Sequence, residues 1–115
     1  MRVTSELWVS ALLRRAFSAG GFAAVERRGA AEAGAVFVVA RSRLGELRLF
    51  GPAPQTSYDE ARPSDRLFTE IAGGTDANAI AARVAREARF DPDLWLVEVE
   101  VDEGMLAELV PLRTP

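Results

Sequence analysis

The sequence predicts a single α+β domain whose elements follow the order α-β-β-β-β-α-β. A chain of 115 residues is long enough to enclose one hydrophobic core. Its 49% hydrophobic and 27% charged residues are typical of a globular protein. The strand-like segments follow one another instead of alternating with helices, which indicates a mixed or largely antiparallel sheet with two helices packed on it. We expect residues 1–103 to form the domain and residues 104–115 to form a tail, either packed on it or mobile.

The first helix is predicted between Thr4 and Ala19. Thr4 is a suitable N-cap, Glu6 suits the positive end of the helix dipole, and Gly20 and Gly21 end the helix. Apart from a narrow polar stripe the helix surface is apolar, so we expect the helix to be largely buried.

Four strands are predicted next, over residues 22–28, 35–41, 46–51 and 66–72. The second of them, "AVFVVAR", is a continuous apolar run, which is typical of a central strand covered on both faces. The third, "ELRLFG", alternates apolar and polar residues and follows a short turn, so it should be the hairpin partner of the second. A second helix then runs from Thr75, its predicted N-cap, to about Arg89, and a final strand covers residues 94–101.

The final strand carries carboxylates at every second position, Glu98, Glu100 and Asp102. Residues two apart share one face of a strand, and oxygen ligands suit Mg²⁺ or Ca²⁺. A divalent-cation-dependent enzyme built on these residues is therefore one alternative. Such residues lie ~6.6 Å apart along the strand, however, which is too far for all three to hold one ion without other ligands. We expect instead that the carboxylates face solvent and that the preceding Leu94 and Leu96 are covered.

Three residue types are missing from the chain, which limits the catalytic mechanisms that it could use. The chain has no cysteine and no histidine, and all 14 of its basic residues are arginine. It therefore lacks a thiol nucleophile, a disulfide, an imidazole base and a lysine for Schiff-base chemistry. No intact catalytic motif is present, so the sequence argues against an enzyme and predicts no cofactor and no metal ligand. Without a signal-peptide pattern or a membrane-length apolar run, a cytoplasmic protein is expected.

The charge is unevenly distributed along the chain. Residues 1–50 hold 8 arginines against 4 acids, and residues 51–115 hold 6 against 13, which gives the net charge of −3. A basic patch formed by Arg14, Arg27, Arg41 and Arg48 is the candidate anion-binding site, with nucleic acid as its possible partner. The overall pI near 5.0 argues against a dedicated nucleic-acid binder.

A long irregular segment, residues 51–65, contains three of the six prolines. Segments of this length without secondary structure are often functional. Its polar residues Gln55, Tyr58 and Asp59 are the candidate partner-binding residues.

The run "SELWVSALLRRAFSAGGFAAVERRG", a helix with a glutamate followed by a glycine turn and a strand, resembles the restriction-endonuclease-like core of Holliday-junction resolvases. That resemblance implies an acid on the second strand and a (D/E)-x-K motif on the third. Residues 35–41 contain no Asp, and Glu46-Leu47-Arg48 ends in an arginine, whose pKa is too high to replace the lysine. The resemblance therefore implies at most a nucleic-acid-associated scaffold without an intact active site.

Three longer segments, "TSELWVSALLRRAFSAGGFAAVERRGAAEAGAVFV", "LFGPAPQ" and "RFDPDLWLVEVE", resemble a small bacterial family, domain of unknown function 1491. The resemblance covers nearly the whole chain and implies a stand-alone bacterial protein, but it supplies no activity or catalytic residues. We therefore expect a small non-catalytic binding protein whose partner is another protein or a second copy. Strands 46–51 or 66–72 are the predicted edges for such pairing.

Overall fold

A computed structural model describes residues 3–54 and 66–113. These residues form eight elements, namely α1 (Ser5–Ser18), β1 (Phe22–Arg27), β2 (Val36–Arg41), β3 (Leu47–Pro52), β4 (Phe68–Gly74), α2 (Ala77–Phe90), β5 (Trp95–Glu100) and α3 (Glu103–Leu109). The α+β class and the predicted order of the first seven elements are confirmed. Glu103–Leu109 adds a third helix to the two that the sequence predicts. No helix within the described part of the chain is long and apolar enough to cross a membrane.

The five strands form one mixed sheet in the order β1-β5-β2-β3-β4. β2 and β5 run parallel, and every other neighbouring pair runs antiparallel. β2 is the central strand, as predicted, and all of its residues before Arg41 are buried. The prediction that residues 46–51 offer a free edge is wrong, because β3 is hydrogen-bonded on both sides, to β2 and to β4.

Two apolar clusters cover opposite faces of the sheet. On the face that we call the α1 side, helices α1 and α3 pack against inward-facing residues that include Val38, Phe50, Trp95, Val97 and Val99. On the opposite face, the α2 side, Ile80 and Val84 of α2 pack against side chains that include Phe37, Val39, Leu47 and Leu49. Burial of apolar surface on both faces is the main source of stability in such a layered domain.

The helix starts follow the expected capping chemistry with one difference. The Thr4 side chain accepts a hydrogen bond from the Leu7 N–H, which confirms Thr4 as the cap of α1. The cap of α2 is Asp76, whose carboxylate accepts from the Asn78 and Ala79 N–H groups, and not Thr75. A carboxylate here also suits the positive end of the helix dipole.

The start of α1 is fixed to the segment that connects β1 and β2. The Ser5 hydroxyl is fully buried, donates to the Gly34 carbonyl at 2.5 Å and accepts from the Arg66 guanidinium at 3.1 Å. The Ser5 N–H donates to the Glu32 carbonyl at 3.0 Å. These bonds pair polar groups that the surrounding core would otherwise isolate from water.

Candidate functional site

The carboxylates of β5 do not converge on one point. Leu94 is fully buried, as predicted, whereas Leu96 is only half-buried. Glu98, with only 15% of its side chain exposed, accepts from Arg41 Nε at 3.1 Å. Asp102 lies beyond the strand and caps α3 by accepting from the Met105 N–H at 2.8 Å. The expectation that the carboxylates face solvent is therefore wrong for Glu98, whereas Glu100 and Asp102 are exposed.

Metal binding finds no support in this arrangement. Residues 3–54 and 66–113 contain no group of three or more Asp, Glu, His or Cys side chains placed to hold an ion.

The structure does not support the nuclease-like alternative either. β2 carries no acidic residue, and Arg48 at the third-strand position is paired with Glu70 at 3.0 Å and with Glu103 at 3.5 Å.

Glu98 forms part of a charged cluster with a residue of β1. A hydrogen bond between the side chains of Glu26 and Glu98, together with desolvation and mutual repulsion, raises the pKa of Glu26 above its ordinary value. The same hydrogen bond and the nearby Arg41 lower the pKa of Glu98. The two neighbouring glutamates therefore differ, with the pKa of Glu26 raised and that of Glu98 lowered.

The four arginines proposed as an anion site do not form one patch. Arg41 contacts Glu98 on the α2 side of the sheet, whereas Arg48 stacks over Phe50 on the α1 side, 5.0 Å from the ring centre. Arg14 lies on the exposed surface of α1. Arg27, at the end of β1, donates to the Pro92 carbonyl at 3.2 Å.

The candidate partner-binding residues of the long segment, namely Gln55, Tyr58 and Asp59, lie outside the described residues.

A groove of roughly 280 Å³ lies between α3 and the sheet. Arg48 and Glu103 form its charged rim, and its remaining lining is mainly apolar (Phe50, Leu106, Ala107, Val110 and Leu112). Because Arg48 is already paired with two glutamates, the rim presents no free charge of one sign to a ligand.

The free edge of β1 is the feature that the sequence did not predict. β1 pairs only with β5, and no other strand in the described chain lies on its outer side. Large apolar side chains flank it. Phe22 is 44% exposed and meets the 53% exposed Phe17 edge-to-face, with ring centres 5.9 Å apart, and Val25 is 38% exposed. Phe22 therefore does not belong to the core, although a large apolar residue on a strand is usually buried.

The two faces of β1 differ. Ala23 and Val25 pair with Val99 and Val97, so they lie on the α1 side. Phe22 and Ala24 point to the α2 side. A bulge at Glu26 shifts the register so that Arg27 pairs directly with Leu96, which places Arg27 on the α2 side as well.

On the α2 side, no helix of the described residues packs extensively over β1, although Leu96 of the adjacent β5 lies against the α2-side cluster. The main sheet contacts of α2 are with β3 and β4, and its Ile80 and Val84 also pack against Phe37 and Val39 of β2. Ala24, Leu96 and Glu98 are accordingly only half-buried, although they lie in the interior of paired strands. We call this surface, together with the free edge of β1, the β1 surface; it consists of Phe17, residues 22–27, Leu96, Glu98 and Glu100.

Comparisons with known proteins agree on the family. The family model described as "Protein of unknown function (DUF1491)" matches residues 3–107. The solution structure of protein Atu0922 from A. tumefaciens is 50% identical with a TM-score of 0.84, over 100% of this chain and 98% of that chain. The crystal structure of a DUF1491 family protein from Caulobacter crescentus CB15 is 35% identical with a TM-score of 0.76, over the full length of both chains. None of the curated proteins matches the sequence.

Proposed function

We propose that this chain, which belongs to the DUF1491 family, is a protein-interaction module that binds an extended strand along the free edge of β1. The observation that carries the proposal is the outer side of β1, where no strand of the described residues lies opposite the backbone N–H and C=O groups. Such an edge is a template for another strand, and main-chain hydrogen bonds then provide the affinity.

The other edge of the sheet is less accessible. The Phe68 N–H of β4 donates to the Pro111 carbonyl, and the Arg113 N–H donates back to the Phe68 carbonyl, both at 2.9 Å. The C-terminal segment thus covers the start of β4, where Phe68 and Leu112 form a parallel bridge. β1 has no equivalent cover within the described residues.

The side chains of the β1 surface also favour a protein partner. Phe17, Phe22 and Val25 are large apolar residues that remain exposed around one short strand. Aromatic residues are enriched in the cores of protein interfaces. The contacting rings of Phe17 and Phe22 form one exposed apolar group, and Val25 adds a second on the α1 side of the same strand. The charged bulge residues Glu26 and Arg27 restrict the apolar part to one end of the strand, which gives a binding strand a preferred register.

A single charged substitution tests the proposal. Lysine on an edge strand opposes further strand addition, so Val25→Lys should abolish capture of proteins from the native host by the immobilised chain. Leu44→Lys is the matched control, because Leu44 is 85% exposed in the turn between β2 and β3 and lies outside the β1 surface. The proposal requires that the captured species be retained by Leu44→Lys and lost by Val25→Lys, with circular dichroism unchanged for both. Equal capture by the two variants would contradict it.

A further inference from the structure

We infer that the strand bound by β1 is β1 of a second copy of this chain, running antiparallel about a two-fold axis through Ala24. This inference rests on the proposed function and names its partner. It would join two five-stranded sheets into one continuous ten-stranded sheet. A two-fold axis requires that the same surface match itself, so the side chains of β1 must be compatible with their own reversed order.

The apolar part of β1 meets this requirement. Directly opposed residues of antiparallel strands lie on the same side of a sheet. A register centred on Ala24 places Ala23 of one copy opposite Val25 of the other, both on the α1 side. On the α2 side, Ala24 lies opposite itself, where its small side chain leaves room for close approach. Each exposed Val25 would thereby gain an apolar neighbour, twice per dimer by symmetry.

The charges at the two ends of β1 are complementary under the same symmetry. Arg27 lies at the end of β1 on the α2 side, and Glu100 lies beside Phe22 at the other end, also on the α2 side. In the antiparallel dimer, Arg27 of each copy lies next to Phe22 of the other copy. Glu100 of that other copy lies on β5, one strand further from the dimer interface. That separation is about two strand spacings, ~10 Å between Cα atoms, which extended arginine and glutamate side chains span together.

The Arg27 guanidinium donates one N–H to the Pro92 carbonyl, which leaves its other N–H groups for this contact. Neither Arg27 nor Glu100 forms an ion pair with any other residue in the described part of the chain. The guanidinium of Arg27 would also lie over the exposed ring of Phe22, a favourable cation–π arrangement. Two symmetry-related pairs thus select a second copy, because an unrelated strand would need to carry the same reversed pattern of aromatic, small and charged residues.

The dimer should be weak and concentration-dependent. One six-residue strand and its flanking side chains bury less than the roughly 800 Å² per partner of a standard stable interface. Dissociation constants on the order of micromolar are therefore expected, and the measurement must cover that range.

Charge-reversal variants test the inference. The assay is sedimentation equilibrium of the full chain at micromolar to near-millimolar concentration. We expect the unmodified chain to dimerise, and Arg27→Glu and Glu100→Arg each to weaken the dimer by roughly five- to tenfold, since each removes two exposed pairs. The double variant restores the pairs with reversed polarity and should return to within about twofold of the original affinity. Leu44→Lys should leave the dimer unchanged and Val25→Lys should abolish it.

The outcomes separate the inference from the proposed function. Two outcomes would overturn the inference that a second copy binds in this register. One is a chain that stays monomeric at every concentration, and the other is a dimer that the single charge changes do not weaken. A double variant that fails to recover while its circular dichroism spectrum matches that of the original chain would overturn it as well. If capture of a different protein is still lost in Val25→Lys, the interaction module stands and only the second copy is wrong. If Val25→Lys retains both dimer and capture, both proposals fail.

Discussion

Replacing Ser5 by alanine should destabilise the fold strongly although it removes a single oxygen atom. The Ser5 hydroxyl is fully buried and donates to the Gly34 carbonyl at 2.5 Å. In Ser5→Ala this buried carbonyl loses the donor, and the Arg66 guanidinium loses one acceptor. Leaving a buried polar group unpaired costs about 1–3 kcal/mol. For a domain of this size, about 4 °C of melting temperature per kcal/mol gives a fall of about 4–12 °C.

The assay is thermal unfolding followed by circular dichroism, with urea unfolding as a second measure of the free energy. Ser10→Ala is the matched control, since Ser10 lies on the exposed side of the same helix. Alanine is the better helix former at an exposed position, so this variant should stay within about 0.5 kcal/mol of the original chain. A loss below about 0.5 kcal/mol in Ser5→Ala as well would refute the reasoning that the Ser5 hydrogen bonds fix α1 to the sheet.

Two further changes test the packing and the charged cluster. Gly29→Ala should lower the free energy of unfolding by about 1–3 kcal/mol, because the new Cβ would overlap the Asp93 carbonyl and lie 2.6 Å from Trp95 Cδ1. Gly104→Ala is its control in urea unfolding, since the nearest atom there is 3.6 Å away; equal losses in the two would contradict the steric argument. Glu26→Gln should raise the melting temperature at pH 7 more than at pH 4. The raised pKa of Glu26 means that the original chain loses stability as pH rises from the ordinary pKa through the raised one. A gain in melting temperature that is independent of pH would contradict a raised pKa of Glu26.

The elements that the sequence predicted well are those with a strong local pattern. β2 is an unbroken apolar run and is central. The change from leucine to carboxylates along one face of the last strand correctly places Leu94 in the core and Glu100 in solvent. Thr4 was recognisable as a cap because its side chain can bond to the N–H of Leu7 in its own first turn. In each case the information lies within a few residues.

The features that were missed depend on which strands become neighbours. β1 is rich in apolar residues, so its Phe22 resembles a core residue, yet the strand lies at the edge of the sheet. β3 resembles an exposed hairpin strand, yet β4 pairs with its second side. The spread of Arg27, Arg41 and Arg48 over the sheet also follows from register and strand order, which no local pattern specifies.

The open β1 surface follows from the connection between β4 and β5. These two strands are parallel, since β4 is antiparallel to β3, β3 is antiparallel to β2, and β2 is parallel to β5. A crossover between parallel strands must carry its helix over the face between them, which here is the face of β2 and β3. α2 therefore ends where β5 begins and cannot extend over β1, while α1 and α3 occupy the opposite face. Among the described elements, this topology leaves β1 with one covered face, one open face and a free edge, and the proposed partner strand would pair with that edge.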